Sequence, residues 1–227
     1  MTRSAILVAH GSPSDPAPQE IALQGLAAKV QALLPDWQIR GATLAAPGRF
    51  DAAIDALDAP LIYPFFMAQG YFTNRVLAPK SQAHGLTQLA PFGVEPGLAD
   101  CAAAVLQDTL DAQGWQARDT ALLMAAHGSA VSSTSADSTH AMQQELAQRI
   151  PFRITRAGFI EEPPLVKDQA QDLGQAICLC YFALNAGHMQ DDMPEALDAA
   201  AFSGPVLPPM IDWPQVPALI ADSLRRA

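Results

Sequence analysis

Leu122-Leu123-Met124-Ala125-Ala126-His127-Gly128-Ser129 decides how this sequence is read, together with a copy near the start, Ala5-Ile6-Leu7-Val8-Ala9-His10-Gly11-Ser12. Each is a short apolar run ending in His-Gly-Ser, the pattern of a parallel strand buried on both faces that feeds a tight turn. Such a strand delivers its histidine to the carboxyl edge of a sheet, where open α/β folds keep their ligand crevices. The glycine allows the sharp turn or a close approach of ligand to backbone.

The two copies lie 117 residues apart, and other landmarks share that offset. Tyr71, at the end of Phe65-Phe66-Met67-Ala68-Gln69-Gly70-Tyr71, falls on His188, and Pro91 falls on Pro208. Three separated coincidences imply a duplicated half of about 115 residues, the size of a small domain. The expected halves are 1–117 and 118–227. Within each, apolar runs alternate with helical spacing: strand 4–9, helix 16–34, strand 37–42, helix 51–57, strand 60–66, a helix from Asn74, strand 86–90 and helix 98–112. The second half repeats the order, with strands at 120–126, 152–158, 175–182 and 204–207 and a final helix at 214–226. This alternation predicts an α/β protein of two tandem flavodoxin-like domains, each a four-stranded parallel sheet with helices on both faces.

Composition narrows the function. A net charge of −10 argues against nucleic acid as a partner, since phosphates need clustered Lys and Arg. No apolar stretch approaches the roughly 20 residues of a membrane span, and Met-Thr-Arg-Ser leads directly into a strand pattern rather than a signal peptide. Cys101, Cys178 and Cys180 make no disulfide framework, and the last two read as thiols packed on one face of a strand. A cytoplasmic protein is the expectation.

His127 and His188 each follow a strand of the second half, and Phe159-Ile160-Glu161-Glu162 brings carboxylates to the same edge. Two imidazoles and a carboxylate suit a divalent transition metal held with positions left open, or acid–base chemistry. The first half keeps His10, but Tyr71 stands for His188, and Leu44-Ala45-Ala46 stands for the glutamates. The chemistry is therefore expected in the second half. Ser129 opens a small polar loop, Ser129–Ala136, that reads as a plain connection or a ligand-binding loop.

This ordered set resembles the sirohydrochlorin chelatases: strand-Ala-His-Gly-Ser, a Phe-x-Glu strand end, and an aromatic strand end leading through Gly187 to His188 and on to proline. These are the class II, ATP-independent cobalt- or iron-inserting enzymes of cobalamin and sirohaem synthesis, here in the long duplicated form. The family is similar in fold to protoporphyrin ferrochelatase and the anaerobic cobaltochelatase. The resemblance implies His127 and His188 as metal-handling groups, with Glu161 or Glu162 as the acidic group. In the first half it reaches only His10. It further implies a divalent metal as substrate (Co²⁺, Fe²⁺ or Ni²⁺), no nucleotide, and a tetrapyrrole near Ser129, Gly187, Tyr71 and Arg75. A monomer with two pseudo-symmetric halves or a homodimer would serve.

The tetrapyrrole's carboxylates call for cations, which Arg75, Lys80, Arg153 or Arg156 could supply. Metal handling requires neutral imidazole, so activity is expected to fall as pH drops through an imidazole pKa of about 6.5. No Walker A or G-x-G-x-x-G loop follows a strand, consistent with no nucleotide. Two alternatives stand: a chelatase-fold protein that binds metal or tetrapyrrole without inserting, and a hydrolase using Ser12 or Ser129. The second lacks the G-x-S-x-G elbow.

Overall fold

Strand β1 (Arg3–Ala9) is buried along nearly its whole length, and β4 (Ala121–Ala126) along all of it, as two-faced burial of a parallel strand requires. A computed structural model describes residues 2–185 and 187–227, apart from the side chains of His188 and Gln190. In the first unit β1 is central, paired in parallel with β2 (Trp37–Thr43) on one side and β3 (Leu61–Pro64) on the other. In the second, β4 lies between β5 (Ile154–Phe159) and β6 (Ala176–Cys180). The chain leaves each central strand for one neighbour and returns to the other, so a topological switch point lies just past β1 and just past β4. His10 and His127 occupy those two points.

The helices are α1 (Pro16–Leu33), α2 (Arg49–Asp55), α3 (Ala78–Ala83), α4 (Leu98–Gln113), α5 (Thr134–Ala147), α6 (Val166–Gln169), α7 (Met193–Ala199) and α8 (Val216–Arg226). A π-helical turn, Phe72–Leu77, leads into α3, and another, His188–Asp192, leads into α7. One core of the first unit gathers Ile6, Val8, Phe50, Ile54, Ile62 and Leu77. Its counterpart in the second includes Leu123, Val166, Leu173, Cys178, Cys180 and Met193, so the paired thiols are packed as expected. Among the described residues no helix is long and apolar enough to cross a membrane.

Two expectations are corrected. The described sheets have three strands each, not four. Segments 86–90 and 204–207 touch their sheets by one bridge apiece, Ile62 with Gln88 and Cys178 with Val206. Pro91, Pro205 and Pro208 flank those bridges, and proline supplies no ladder N–H. The second correction concerns the units, which are not contiguous halves. One comprises Met1–Glu95 and Ile211–Ala227, the other Pro96–Met210. Helix α8 thus belongs to the first unit and α4 to the second, whereas a division at 117/118 assigns them the other way.

Within the first unit α8 is fastened at its end. Arg226 pairs with the buried Glu95 carboxylate, whose other oxygen accepts the Tyr63 hydroxyl at 3.1 Å. Burial, with Glu95 beside it, holds the Tyr63 phenol well above its ordinary pKa.

Candidate functional site

The second unit's switch point is built by two loops that grip each other. After β4, the amides of Ile160 and Glu161 both donate to the His127 carbonyl, at 3.2 and 3.0 Å, carrying the β4–β5 pairing past the strand ends. The Phe159 amide donates to the Pro164 carbonyl at 2.9 Å, closing 160–163 into a tight loop that displays both glutamates. Gly128 has φ +72°, and a Cβ there would stand 2.8 Å from the Phe159 Cβ and 2.9 Å from the Glu162 Cγ. Only glycine fits both the left-handed backbone and the space.

Sequence alone left the two glutamates equivalent; their surroundings differ. Glu162 accepts the Ser129 amide at 2.8 Å and so ties the loop after β4 to the loop after β5. Glu161 is exposed and turns its Oε2 to within 3.7 Å of His127 Nδ1. His127 Nδ1 also lies 2.9 Å from the Gly128 carbonyl oxygen. A carbonyl can only accept, so this hydrogen bond places the proton on Nδ1 and the lone pair on Nε2, as in a histidine oriented for metal binding.

The loop beyond is structured by its own hydroxyls. The Gly128 amide donates to Ser135 Oγ at 3.2 Å, Val131 N–H to Ser129 Oγ at 3.3 Å, and Ser133 Oγ to Asp137 at 2.8 Å. Helix α5 starts at Thr134, earlier than the capping residues Asp137 or Ser138 imply. Val131, at the tip, is 94 % exposed.

His188 begins the π-helical turn after β6, the strand on the other side of β4 from β5; its side chain lies outside the described residues. Gly187, just before it, is exposed. Among the described residues no three His, Cys, Asp or Glu side chains form a ready metal shell. The described partners at the switch point are His127 and Glu161. Arg153 and Arg156 are committed elsewhere, donating to the carbonyls of Leu173 and of Gln169 and Gln171.

His10, Tyr71 and Arg75 lie in the first unit, where hydrogen bonding redefines the correspondence between the repeats. Leu44 and Ala45 donate to Ala9 and His10, as Ile160 and Glu161 donate to Ala126 and His127. Phe65 donates to Val8 as Tyr181 donates to Ala125. The offset from β5 through the π-helical turn is therefore 116, because the link from β4 to β5 is one residue shorter than that from β1 to β2. Ala45 stands where Glu161 stands, and Phe72, not Tyr71, stands where His188 stands. Sequence reasoning missed Phe72, although the aromatic pairs Phe65-Phe66 and Tyr181-Phe182 align only at 116.

The Phe72 ring stacks on the His10 imidazole, with centroids 3.9 Å apart and planes at 29°. Burial lowers the His10 pKa, and its Nδ1 has no hydrogen-bond partner among the described residues.

The CbiX family profile matches residues 121–227. Over 99 % of both chains, the protein is 44 % identical to a solved structure of CbiX, the terminal enzyme for biosynthesis of siroheme in denitrifying bacteria, with a TM-score of 0.89. Two structures at 13 % identity share the fold. SirB from Bacillus subtilis with Fe³⁺ has a TM-score of 0.74, and the sirohydrochlorin chelatase SirB from B. subtilis subspecies spizizenii with cobalt has 0.68; each comparison covers 100 % of this chain and 95 % of the other. No curated protein matches the sequence.

Proposed function

The chain belongs to the CbiX family of sirohydrochlorin chelatases, and on that premise we propose that it inserts Co²⁺ or Fe²⁺ into a sirohydrochlorin-type tetrapyrrole without ATP. The observation that carries this reading is the approach of Glu161 to His127 at the second unit's switch point, 3.7 Å from Oε2 to Nδ1, while Glu162 Oε1 holds the Ser129 amide. The relative at 44 % identity is described as the terminal enzyme for siroheme biosynthesis, which makes Fe²⁺ the first metal to test.

Insertion places a divalent ion among four pyrrole-type nitrogens and releases two N–H protons. His127 offers Nε2 to the incoming ion, and its Nδ1–H···O=C bond to Gly128 fixes the ring. His188 is the second imidazole of the proposal. Few protein ligands leave positions open, so the ion can exchange water for macrocycle nitrogen before it leaves the protein. Glu161, exposed beside His127, takes one pyrrole proton as the ion enters, and the other passes to solvent water. Ser129 and Gly187 border the substrate beside these groups. We place this activity in the cytoplasm.

The test is a spectral assay of metal-free sirohydrochlorin with Fe²⁺, Co²⁺ or Ni²⁺, each against a protein-free control because these ions insert spontaneously. The expected result is metallation faster than the control and lost in His127→Ala and His188→Ala. A wild type no faster than its control refutes insertion. Retained tetrapyrrole binding would then favour a carrier, the second reading, which the aromatic character of the first unit supports.

A further inference from the structure

We propose that Glu162 is a positioning residue for His127, acting on the imidazole through the peptide bond that joins Gly128 to Ser129. Its charge polarises that peptide, and the peptide in turn fixes the His127 tautomer and strengthens Nε2 as a donor to the incoming ion. The inference rests on the functional reading above, which takes His127 as a group that meets the metal.

One peptide unit carries both hydrogen bonds. Its N–H, from Ser129, donates to Glu162 Oε1 at 2.8 Å, and its C=O, from Gly128, accepts the His127 Nδ1 proton at 2.9 Å. The N–H and C=O of a trans peptide point in opposite directions, so carboxylate and imidazole stand at the two ends of one delocalised group. An anion at the N–H end pushes electron density towards the carbonyl oxygen and makes it a better acceptor. Hydrogen bonds in such a chain strengthen one another, most where one partner is charged. A histidine ligand gains basicity when its other nitrogen donates to a carboxylate or carbonyl. Here the carboxylate reaches the ring with a peptide between.

Glu161 does not supply this bond. Its Oε2 stands 3.7 Å from the same Nδ1, beyond hydrogen-bond distance, whereas the Gly128 carbonyl is within it. The glycine is what lets Glu162 lie against the peptide, since a Cβ at residue 128 would stand 2.9 Å from the Glu162 Cγ and 3.1 Å from Oε1.

The first unit shows what the turn does without the carboxylate. Gly11 has φ +78°, close to the +72° of Gly128, and Ser12 follows it as Ser129 follows Gly128. The Ala45 amide donates to His10 as the Glu161 amide donates to His127. At the 116-residue offset, Ala46 occupies the place of Glu162. There the His10 Nδ1 is buried with no hydrogen-bond partner among the described residues. The glycine turn by itself therefore does not produce the bond from imidazole to carbonyl.

Glu162→Gln separates charge from bracing, because the glutamine oxygen still accepts the Ser129 amide. Two measurements without tetrapyrrole read the result. Co²⁺ is titrated into the protein and followed by its visible d–d band; Kd is expected to rise about tenfold, the low end of what losing a histidine ligand's outer partner costs. The metal-free protein is examined by ¹⁵N NMR above the imidazole titration range, with the His127 signals assigned by their loss in His127→Ala. The wild type is expected to hold its proton on Nδ1, and Glu162→Gln to shift towards the Nε2–H form that free histidine prefers. An unchanged tautomer in Glu162→Gln overturns the proposal even if Co²⁺ binds more weakly, since the charge would then act only through loop position. An unchanged Kd overturns it as well. A wild type with the expected tautomer and Co²⁺ affinity that metallates sirohydrochlorin no faster than the protein-free control refutes insertion and leaves this inference standing. A wild type that metallates while carrying the His127 proton on Nε2 does the reverse.

Discussion

The Glu162 carboxylate accepts the Ser129 amide at 2.8 Å across 33 residues of sequence, while its neighbour Glu161 faces the His127 imidazole. Adjacent glutamates should therefore fail differently. Glu161→Gln is expected to lower the insertion rate a hundredfold or more, the order of a lost general base, with stability unchanged to about 0.5 kcal/mol. Glu162→Ala is expected to cost about 1–3 kcal/mol, because it leaves a loop amide without its charged acceptor. Insertion kinetics and chemical denaturation on the same two variants decide it, and reversed phenotypes would reverse the assignment.

Gly128→Ala should be costly although it adds one methyl. The residue sits at φ +72° with no room on the Phe159 and Glu162 side. Strain and crowding together are expected to cost about 2–4 kcal/mol. A melting temperature within a degree of wild type would show that the turn relaxes.

The 116-residue correspondence can be tested by gain of function. Ala45→Glu with Phe72→His places a carboxylate and a second imidazole beside His10, restoring the donor types of the second unit. Equilibrium dialysis with Co²⁺ is expected to show one ion per wild-type chain and two per double variant. Unchanged stoichiometry would argue that the repeats correspond differently.

Burial pushes the His10 imidazole below its ordinary pKa, so the unfolded chain binds this proton more readily than the folded one. The stability linked to His10 is complete above the unfolded value of about 6.5 and is lost as pH falls from there towards the lower folded value. Melting temperatures between pH 7.5 and 5 should thus fall more steeply for wild type than for His10→Gln. Parallel curves would rule out a titrating His10.

The apolar runs at Ala5–Ala9 and Leu122–Ala126 made the central strands legible, because a parallel strand buried on both faces has almost no freedom in composition. The histidines at their ends followed from strand direction alone. Phe72 did not: a one-residue difference in the link before β5 shifts the repeat, and only hydrogen bonding between neighbouring strands reveals where the shift falls. The missing fourth strands were hidden for another reason. Leu86–Ala90 has the residues of a strand, yet its pairing amounts to one bridge, and periodicity does not count hydrogen bonds. Nor does the apolar face of α4 or α8 say which unit it covers.

That placement bears on how such a chain could have arisen. A single repeat, 1–117 or 118–227, holds three strands of one unit but ends in the helix that completes the other. Alone, it would close only by trading that helix with an identical neighbour, as domain-swapped dimers do. Fusing two copies makes the trade intramolecular and independent of concentration. It also frees each copy to drift, one keeping His127 and Glu161 while the other set phenylalanine against its histidine.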